Sequence, residues 1–343
     1  VIDAMPDRFR DLRVLPHEAP PLRFSRRRFL AGFGVLAAGA LCGPALSRVR
    51  IGPVTRVAVE RPGLGTWIRI VARGDDPARA GRAVERAFAA IDLVDRQMSV
   101  HRADSQLARV NRAAGIGAVA VDDAVLEVVG RARARAERAG GAYDPTVLPL
   151  MRLYGFYGGG RDRYPGDREL AHALEAVGWR HVMVDRAAGT LGLARRGAGL
   201  DLGSIGKGWA VDQAVAALRA EGITSGLVDV GRNVYALGTP DARSDGWPVG
   251  VVHPASGAID RVFTLRDQAV ATSGNAEQHH RQGGIEVGHL LDARRGRPAD
   301  GPLSATVLAR TGTDADGIST VAFLLGAGAV RAWPEPLAVH VIG

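Results

Sequence analysis

Nine consecutive residues, Asp201-Leu202-Gly203-Ser204-Ile205-Gly206-Lys207-Gly208-Trp209, carry the densest chemistry in the chain. Their three glycines let a backbone turn tightly and approach a ligand without side-chain obstruction. The stretch leads into a helical pattern from Trp209, and a helix N-terminus offers unpaired N–H groups and a dipole that favour anions. Asp201 and Lys207 bracket it. Lys207 is the sole lysine among 44 basic residues, the rest being arginine. A compact, flexible ammonium at this point suits a phosphate or a carboxylate. The alternative is an ordinary strand-to-helix loop with a surface lysine. The pattern is not a Walker loop, which needs glycine where Asp201 stands and Ser or Thr where Gly208 stands. No G-x-G-x-x-G dinucleotide fingerprint opens it either.

A second group lies near the C-terminus, in Ala315-Asp316-Gly317-Ile318-Ser319-Thr320. On a helix, residues three and four apart share a face, so the oxygens of Asp316, Ser319 and Thr320 point the same way. Hard oxygen ligands suit Mg²⁺, which takes one or two carboxylates plus phosphates and water. Ordinary N-terminal capping is the competing reading. In Gly288-His289-Leu290-Leu291-Asp292 an imidazole and a carboxylate stand three apart near the end of an apparent strand, where they would face opposite sides. His289 is either a general base or a structural histidine. His279-His280 reads as a polar loop, Gly141-Ala142-Tyr143-Asp144-Pro145 as a turn. Ala271-Thr272-Ser273-Gly274 reads as a strand entering a turn, without the G-x-S-x-G elbow of a serine hydrolase.

The elements that must position these residues follow from periodicity. Val54–Glu60 and Thr66–Ala72 pattern as strands around Pro62-Gly63-Leu64-Gly65. Helices are expected over Pro77 to Met98, Ser105–Ala114, Asp122–Ala139, Arg168–Val177, Trp209–Ala220 and Asp314–Leu325. Val182–Val184 and Thr190–Leu193 should form a hairpin. Strands dominate later: Gly226–Leu237, Pro248–Val252, Arg261–Leu265, Ala269–Thr272, Ile285–Leu291, Ala305–Ala309 and Leu337–Ile342. Helix-rich first and strand-rich later, without βαβ alternation, the order favours an α+β fold.

Composition narrows the setting. The chain of 343 residues has a formal charge of +8, but residues 1–47 hold seven Arg against four acids, so the remainder is less basic. No basic tract interleaves with aromatics, which argues against nucleic-acid binding. The single cysteine, Cys42, rules out an internal disulfide. Ser25-Arg26-Arg27-Arg28-Phe29-Leu30 before the mildly apolar run Ala31 to Leu46 resembles a twin-arginine export signal, and cleavage is expected after Ala45-Leu46-Ser47. The expected division is therefore 1–47 as signal and N-terminal extension and 48–343 as one catalytic domain. The location would be periplasmic, membrane-tethered if the signal stays uncleaved.

Taken in order, these segments are similar to the ApbE family, the FAD:protein FMN transferases, from about Gly63 to the C-terminus. The carriers are Met98-Ser99-Val100-His101-Arg102 with Ser105 and Asn111, the Gly141–Asp144 turn, Asp201–Gly208, Ala271–Gly274, His289–Asp292 with Gly296, and Ala315 through Thr320. The resemblance implies an ApbE-like, T-fold-related α+β domain of mixed sheets packed with helices. It implies Mg²⁺ on Asp316, Thr320 and Ser204, with Ser319 as a further ligand. FAD would contact Leu64, His101, Ala142, Tyr143, Asp144, Asp201, Lys207 and Leu291. The expected reaction moves FMN from FAD to a Thr or Ser hydroxyl of a partner flavoprotein, membrane-associated partners included, and releases AMP. His289 and Asp316 would be the catalytic pair. Hydrolysis of FAD to FMN and AMP, or FAD binding without catalysis, are the alternative activities. The family often has Met where Leu64 stands, Tyr at His101, a second glycine at Arg232 and proline at Ala293.

Overall fold

The computed structural model describes residues 46–51, 54–157, 163–275 and 279–343. Eight strands form one sheet: β1 (Leu46–Ile51), β2 (Val54–Gly63), β3 (Thr66–Gly74), β4 (Ser225–Val230), β5 (Asn233–Leu237), β6 (Gln268–Ser273), β7 (Ser304–Ala309) and β8 (Pro336–Ile342). Their spatial order is their chain order, and every neighbour is antiparallel. Insertions between consecutive strands carry everything else.

Period-two alternation assigns the faces. In β3, Ile68, Ile70 and Ala72 enter the main core, while Val71 faces the other side. In β5, Tyr235 and Leu237 face the main core and Val234 and Ala236 the opposite one. Four long helices cover the first face or flank it: α1 (Pro77–Met98), α2 (Asp123–Arg138), α3 (Gly206–Ala220) and α4 (Gly312–Leu325). α1 starts where Asp76 accepts a 2.8 Å bond from the Ala78 N–H and Pro77 supplies a preset φ. It buries Val84, Phe88, Ile91 and Met98 along one stripe, each worth about 1.5–3 kcal/mol of apolar burial. The hairpin Trp247–Val252 with Ile259–Leu265 covers part of the second face through Trp247 and Leu265. A separate small core forms beneath the His279–Gln282 and Ile285–Gly288 hairpin, from Leu150, Met151, Tyr154, Leu170, Val287 and Leu291.

The α+β expectation holds, with local corrections. The run expected as one strand from Gly226 to Leu237 breaks at Gly231-Arg232, where φ is 55° and 69°. A two-residue hairpin turn with positive φ at both positions matches the strand twist. His279-His280, expected in a loop, begins a short strand. The strand through His289 stops at Gly288, and Leu291–Asp292 pairs separately with Arg297–Pro298. α3 begins at Gly206 and α4 at Gly312, each earlier than the hydrophobic pattern indicates.

The described residues belong to one unit, Ala45–Gly343. The twin-arginine run Ser25–Leu30 and Cys42 lie outside the described residues. Leu46 and Ser47 are the first two residues of β1, so the expected cleavage would fall within that strand. Among the described residues no helix is long and apolar enough to cross a membrane.

Candidate functional site

The two chemistry-bearing segments meet where α3 crosses α4. The Gly208 N–H donates to Asp316 Oδ2 at 2.8 Å. The backbones touch here: a Cβ on Gly312 would sit 2.6 Å from the Gly208 carbonyl oxygen. Gly208 therefore serves close approach, and none of the glycines of the 203–208 stretch adopts positive φ. Lys207 Nζ donates to the Gly203 carbonyl at 2.9 Å and stands 3.9 Å from Asp316 Oδ1. Asp212 of α3 caps α4 from outside, accepting from Gly312 N at 2.6 Å, Thr313 N at 2.9 Å and Thr313 Oγ1 at 2.5 Å. Burial raises the Asp212 carboxyl above its ordinary range, and those donors pull it partly back.

Capping thus belongs to Asp212 and to Thr311, whose Oγ1 accepts from Asp314 N at 3.1 Å. Asp316 lies in the second turn, only 4% exposed, with its carboxylate aimed across to α3. Asp316 does not cap its own helix; one carboxylate oxygen instead accepts from the third residue of α3. Ser319 Oγ donates to the Asp316 carbonyl at 2.8 Å. Ser273, at the end of β6, lies 2.8 Å from Ser319 Oγ and 3.1 Å from Thr320 Oγ1.

The turn after α2 gathers the remaining segments. Gly140 and Gly141 take φ of 58° and 81°, a conformation open to residues without Cβ. The Ala142 carbonyl then accepts from Ala293 N at 3.0 Å, and the Pro145 carbonyl from Asp201 N at 2.7 Å. Ser204 Oγ donates to the Tyr143 hydroxyl at 3.1 Å. Burial pushes the Tyr143 phenol up to about 12, with Arg135 and the Ser204 bond opposing and the Asp316 and Asp144 charges adding. Asp144 fixes the turn itself: Oδ1 accepts from Thr146 N and Oγ1 at 2.9 and 2.7 Å, Oδ2 from Trp179 N at 2.8 Å. Asn111 clamps the approach to Asp201, donating to the Leu200 carbonyl at 2.9 Å and accepting its N–H at 2.7 Å.

Asp201 is buried, accepting from Gly203 N at 2.8 Å and from the Tyr157 hydroxyl at 2.8 Å. The Tyr157 ring meets exposed His101 edge-on, centroids 4.9 Å apart. Leu291 lies in the small core. His289 occupies the bend after Gly288, its ring 6.4 Å from that of Phe156. Asp292 pairs with Arg294 at 2.7 Å. Leu64 packs against the main core from the β2–β3 turn, at φ 50°. These contacts join Ala142, Tyr143, Asp201, Ser204, Lys207, Asp316, Ser319 and Thr320 into one cluster, with Asp144 beneath it and His101 at its edge. They do not draw in Leu64 or His289.

Among the described residues no three acidic, histidine or cysteine side chains converge on a metal position. A cation here would rest on the Asp316 carboxylate, the hydroxyls of Thr320, Ser319 and Ser204, and ligand oxygens. That hard, oxygen-only, single-carboxylate set fits Mg²⁺ carried on a phosphate. A surface concavity of about 560 Å³, bordered by Arg152, Glu169, Arg195 and Arg196, contains none of these residues.

The sequence profile of the ApbE family matches residues 64–342. The chain belongs to the ApbE family. A FAD:protein FMN transferase of Treponema pallidum is 33% identical over 279 residues, covering 77% of each chain. One from Klebsiella pneumoniae is 30% identical over 281 residues, covering 79% of each. An ApbE protein structure from Thermotoga maritima superposes with TM-score 0.77 at 28% identity, over 83% of this chain and 94% of that one. The Vibrio cholerae flavin transferase ApbE gives 0.75 at 29%, over 84% and 94%. The family's named members are thus enzymes that transfer flavin.

Three further residues of this cluster receive no site role from sequence reasoning. Asp212 carried a usable signal, standing one helical turn after Gly208 on the same stripe of α3. Ser273 was legible only as part of the Ala271–Gly274 motif, and its hydroxyl partners come from α4. Tyr157 had no signal, because its partner Asp201 is 44 positions away.

Proposed function

We propose that the protein is a Mg²⁺-dependent FAD:protein FMN transferase that moves FMN from FAD to a Thr or Ser hydroxyl of a partner flavoprotein and releases AMP. The supporting observation is the joint between Gly208 and Asp316, which brings the Lys207 ammonium against a buried carboxylate whose helix also carries the Ser319 and Thr320 hydroxyls. Phosphoryl transfer asks the protein mainly for positioning and charge neutralisation.

A bound Mg²⁺ would neutralise charge across the two phosphates. Asp316, Thr320, Ser204 and Ser319 are the residues that would hold it. Lys207, whose ammonium stands 3.9 Å from Asp316 Oδ1, would pair with the phosphates beside that carboxylate. Ala142, Tyr143, Asp201, Leu291, Leu64 and His101 form the remaining FAD surface, with Asp144 shaping its turn. His289 accepts the proton of the incoming hydroxyl. That oxygen bonds to the FMN phosphorus as the bond to the AMP oxygen breaks, its electron pair leaving with AMP.

Incubation with FAD, Mg²⁺ and a flavoprotein acceptor domain tests the reading. A covalently fluorescent acceptor is the expected result. Free FMN and AMP without labelling would mean hydrolysis, and unchanged FAD would mean binding alone; either outcome overturns transfer. We also infer export through the twin-arginine segment. Replacing Arg26 and Arg27 together by Lys should retain the protein in the cytoplasm, and undiminished periplasmic protein would refute the signal.

A further inference from the structure

One side chain touches the residue before His289 and the residue after it. Asn275, half-buried just beyond β6, accepts from the Leu290 N–H through Oδ1 at 3.3 Å. Its carboxamide also rests on Gly288, where an added Cβ would run into the amide carbon, oxygen and nitrogen together. The Asn275 carbonyl oxygen lies 3.1 Å from His279 Nδ1, and His279 pairs with Gly288 in the hairpin register. A single amide therefore grips the chain on both flanks of the imidazole. Gly288 is glycine because that grip leaves no room for a side chain.

We propose that Asn275 is the positioning residue for His289, fixing the bend that presents the imidazole to the incoming hydroxyl. The proposal rests on the reading of His289 as the proton acceptor. Asn275 hangs from the end of β6 two residues after Ser273, whose hydroxyl bonds the α4 oxygens. The same strand end thus reaches the cation-binding side with one residue and the proton-accepting side with another. A displacement of about 1 Å at a reacting group can cost on the order of 100-fold in rate. An amide that sets the imidazole position should therefore act on turnover and leave FAD affinity alone.

The test is a double-mutant cycle on flavin transfer, with FAD affinity and the thermal midpoint measured on each variant. Asn275→Ala should lower kcat about 10- to 100-fold with KM for FAD within about twofold. Asn275→Asp, which keeps an acceptor for the Leu290 N–H, should recover most of that loss. In the His289→Ala background, Asn275→Ala should change kcat by less than about twofold, because the residue it positions is gone. Independent, multiplying losses would overturn the proposal, as would a wild-type rate in Asn275→Ala or an Asp variant no better than Ala. A wild-type rate in His289→Ala would instead reject the proton-acceptor reading beneath it. Loss from His289→Ala beside an unaffected Asn275→Ala would reject positioning alone.

Discussion

The α3–α4 junction and the bend at His289 are built in opposite ways. At the junction two long helices touch backbone to backbone, and Ala210, Val211, Ala315 and Ile318 around the contact are fully buried in the main core. Asp212 and Asp316 each engage backbone N–H groups of the opposing helix. The His289 bend joins two short strands over a separate six-residue core, with its flanks held by Asn275. On the proposed reading, charge handling falls to the more deeply packed of the two regions, where preorganised dipoles need little rearrangement. The residue proposed to meet a second protein's hydroxyl sits on a short bend over that small separate core.

Gly208→Ala should break the contrast most severely. Its Cβ would strike the Gly312 carbonyl and approach Asp316 Cβ at 2.7 Å, so the helices must separate. We expect about 3 kcal/mol of destabilisation and loss of FAD binding, read by denaturant unfolding and FAD titration. Wild-type stability in this variant would mean the backbones are not in contact. Asp316→Ala follows, with Mg²⁺-dependent turnover reduced on the order of 1000-fold, equivalent to about 4 kcal/mol of charge stabilisation. His289→Ala should cost about 100-fold in transfer while FAD still binds. Equal loss of FAD binding from His289→Ala would erase the distinction between the regions.

Sequence patterns revealed these regions unequally. The span of α1 is legible from one buried stripe and from Pro77, because both signals are local. The start of α3 is not, since Gly206 and Gly208 resemble turn residues and Asp316 meets Gly208 from 108 positions away. Capping and metal ligation look alike at Asp316 for the same reason: only the fold shows that Asp212 and Thr311 already satisfy the helix start. The break at Gly231-Arg232 was hidden because arginine stands at φ 69°, a conformation that ordinarily signals itself through glycine. Leu64 at φ 50° is a second such position, carrying strain of about 1–3 kcal/mol. Motif order located the cluster, whereas side-chain partners such as Tyr157 and Asp201 required coordinates.

The smallest effect is expected outside both regions, at Asp229 of β4. This carboxylate stands in register with Arg69 on β3, which in turn faces Glu60 on β2. Burial raises its pKa from 3.8 to about 6, although the Arg232 N–H and the Arg69 and Arg232 charges pull it down. The folded state therefore holds this proton more tightly than the unfolded chain. Its contribution to stability is complete below pH 3.8 and is lost as pH rises through about 6. Asp229→Asn mimics the protonated side chain and keeps an acceptor for the Arg232 N–H, which Asp229 Oδ1 now takes at 2.7 Å. The variant should gain on the order of 1–3 kcal/mol over the wild type by neutral pH, with turnover unchanged. Thermal unfolding from pH 4 to 7 reads this as a growing difference in midpoint. A constant difference across that range would show that Asp229 does not titrate there, and altered turnover would tie the outer face of the sheet to the site.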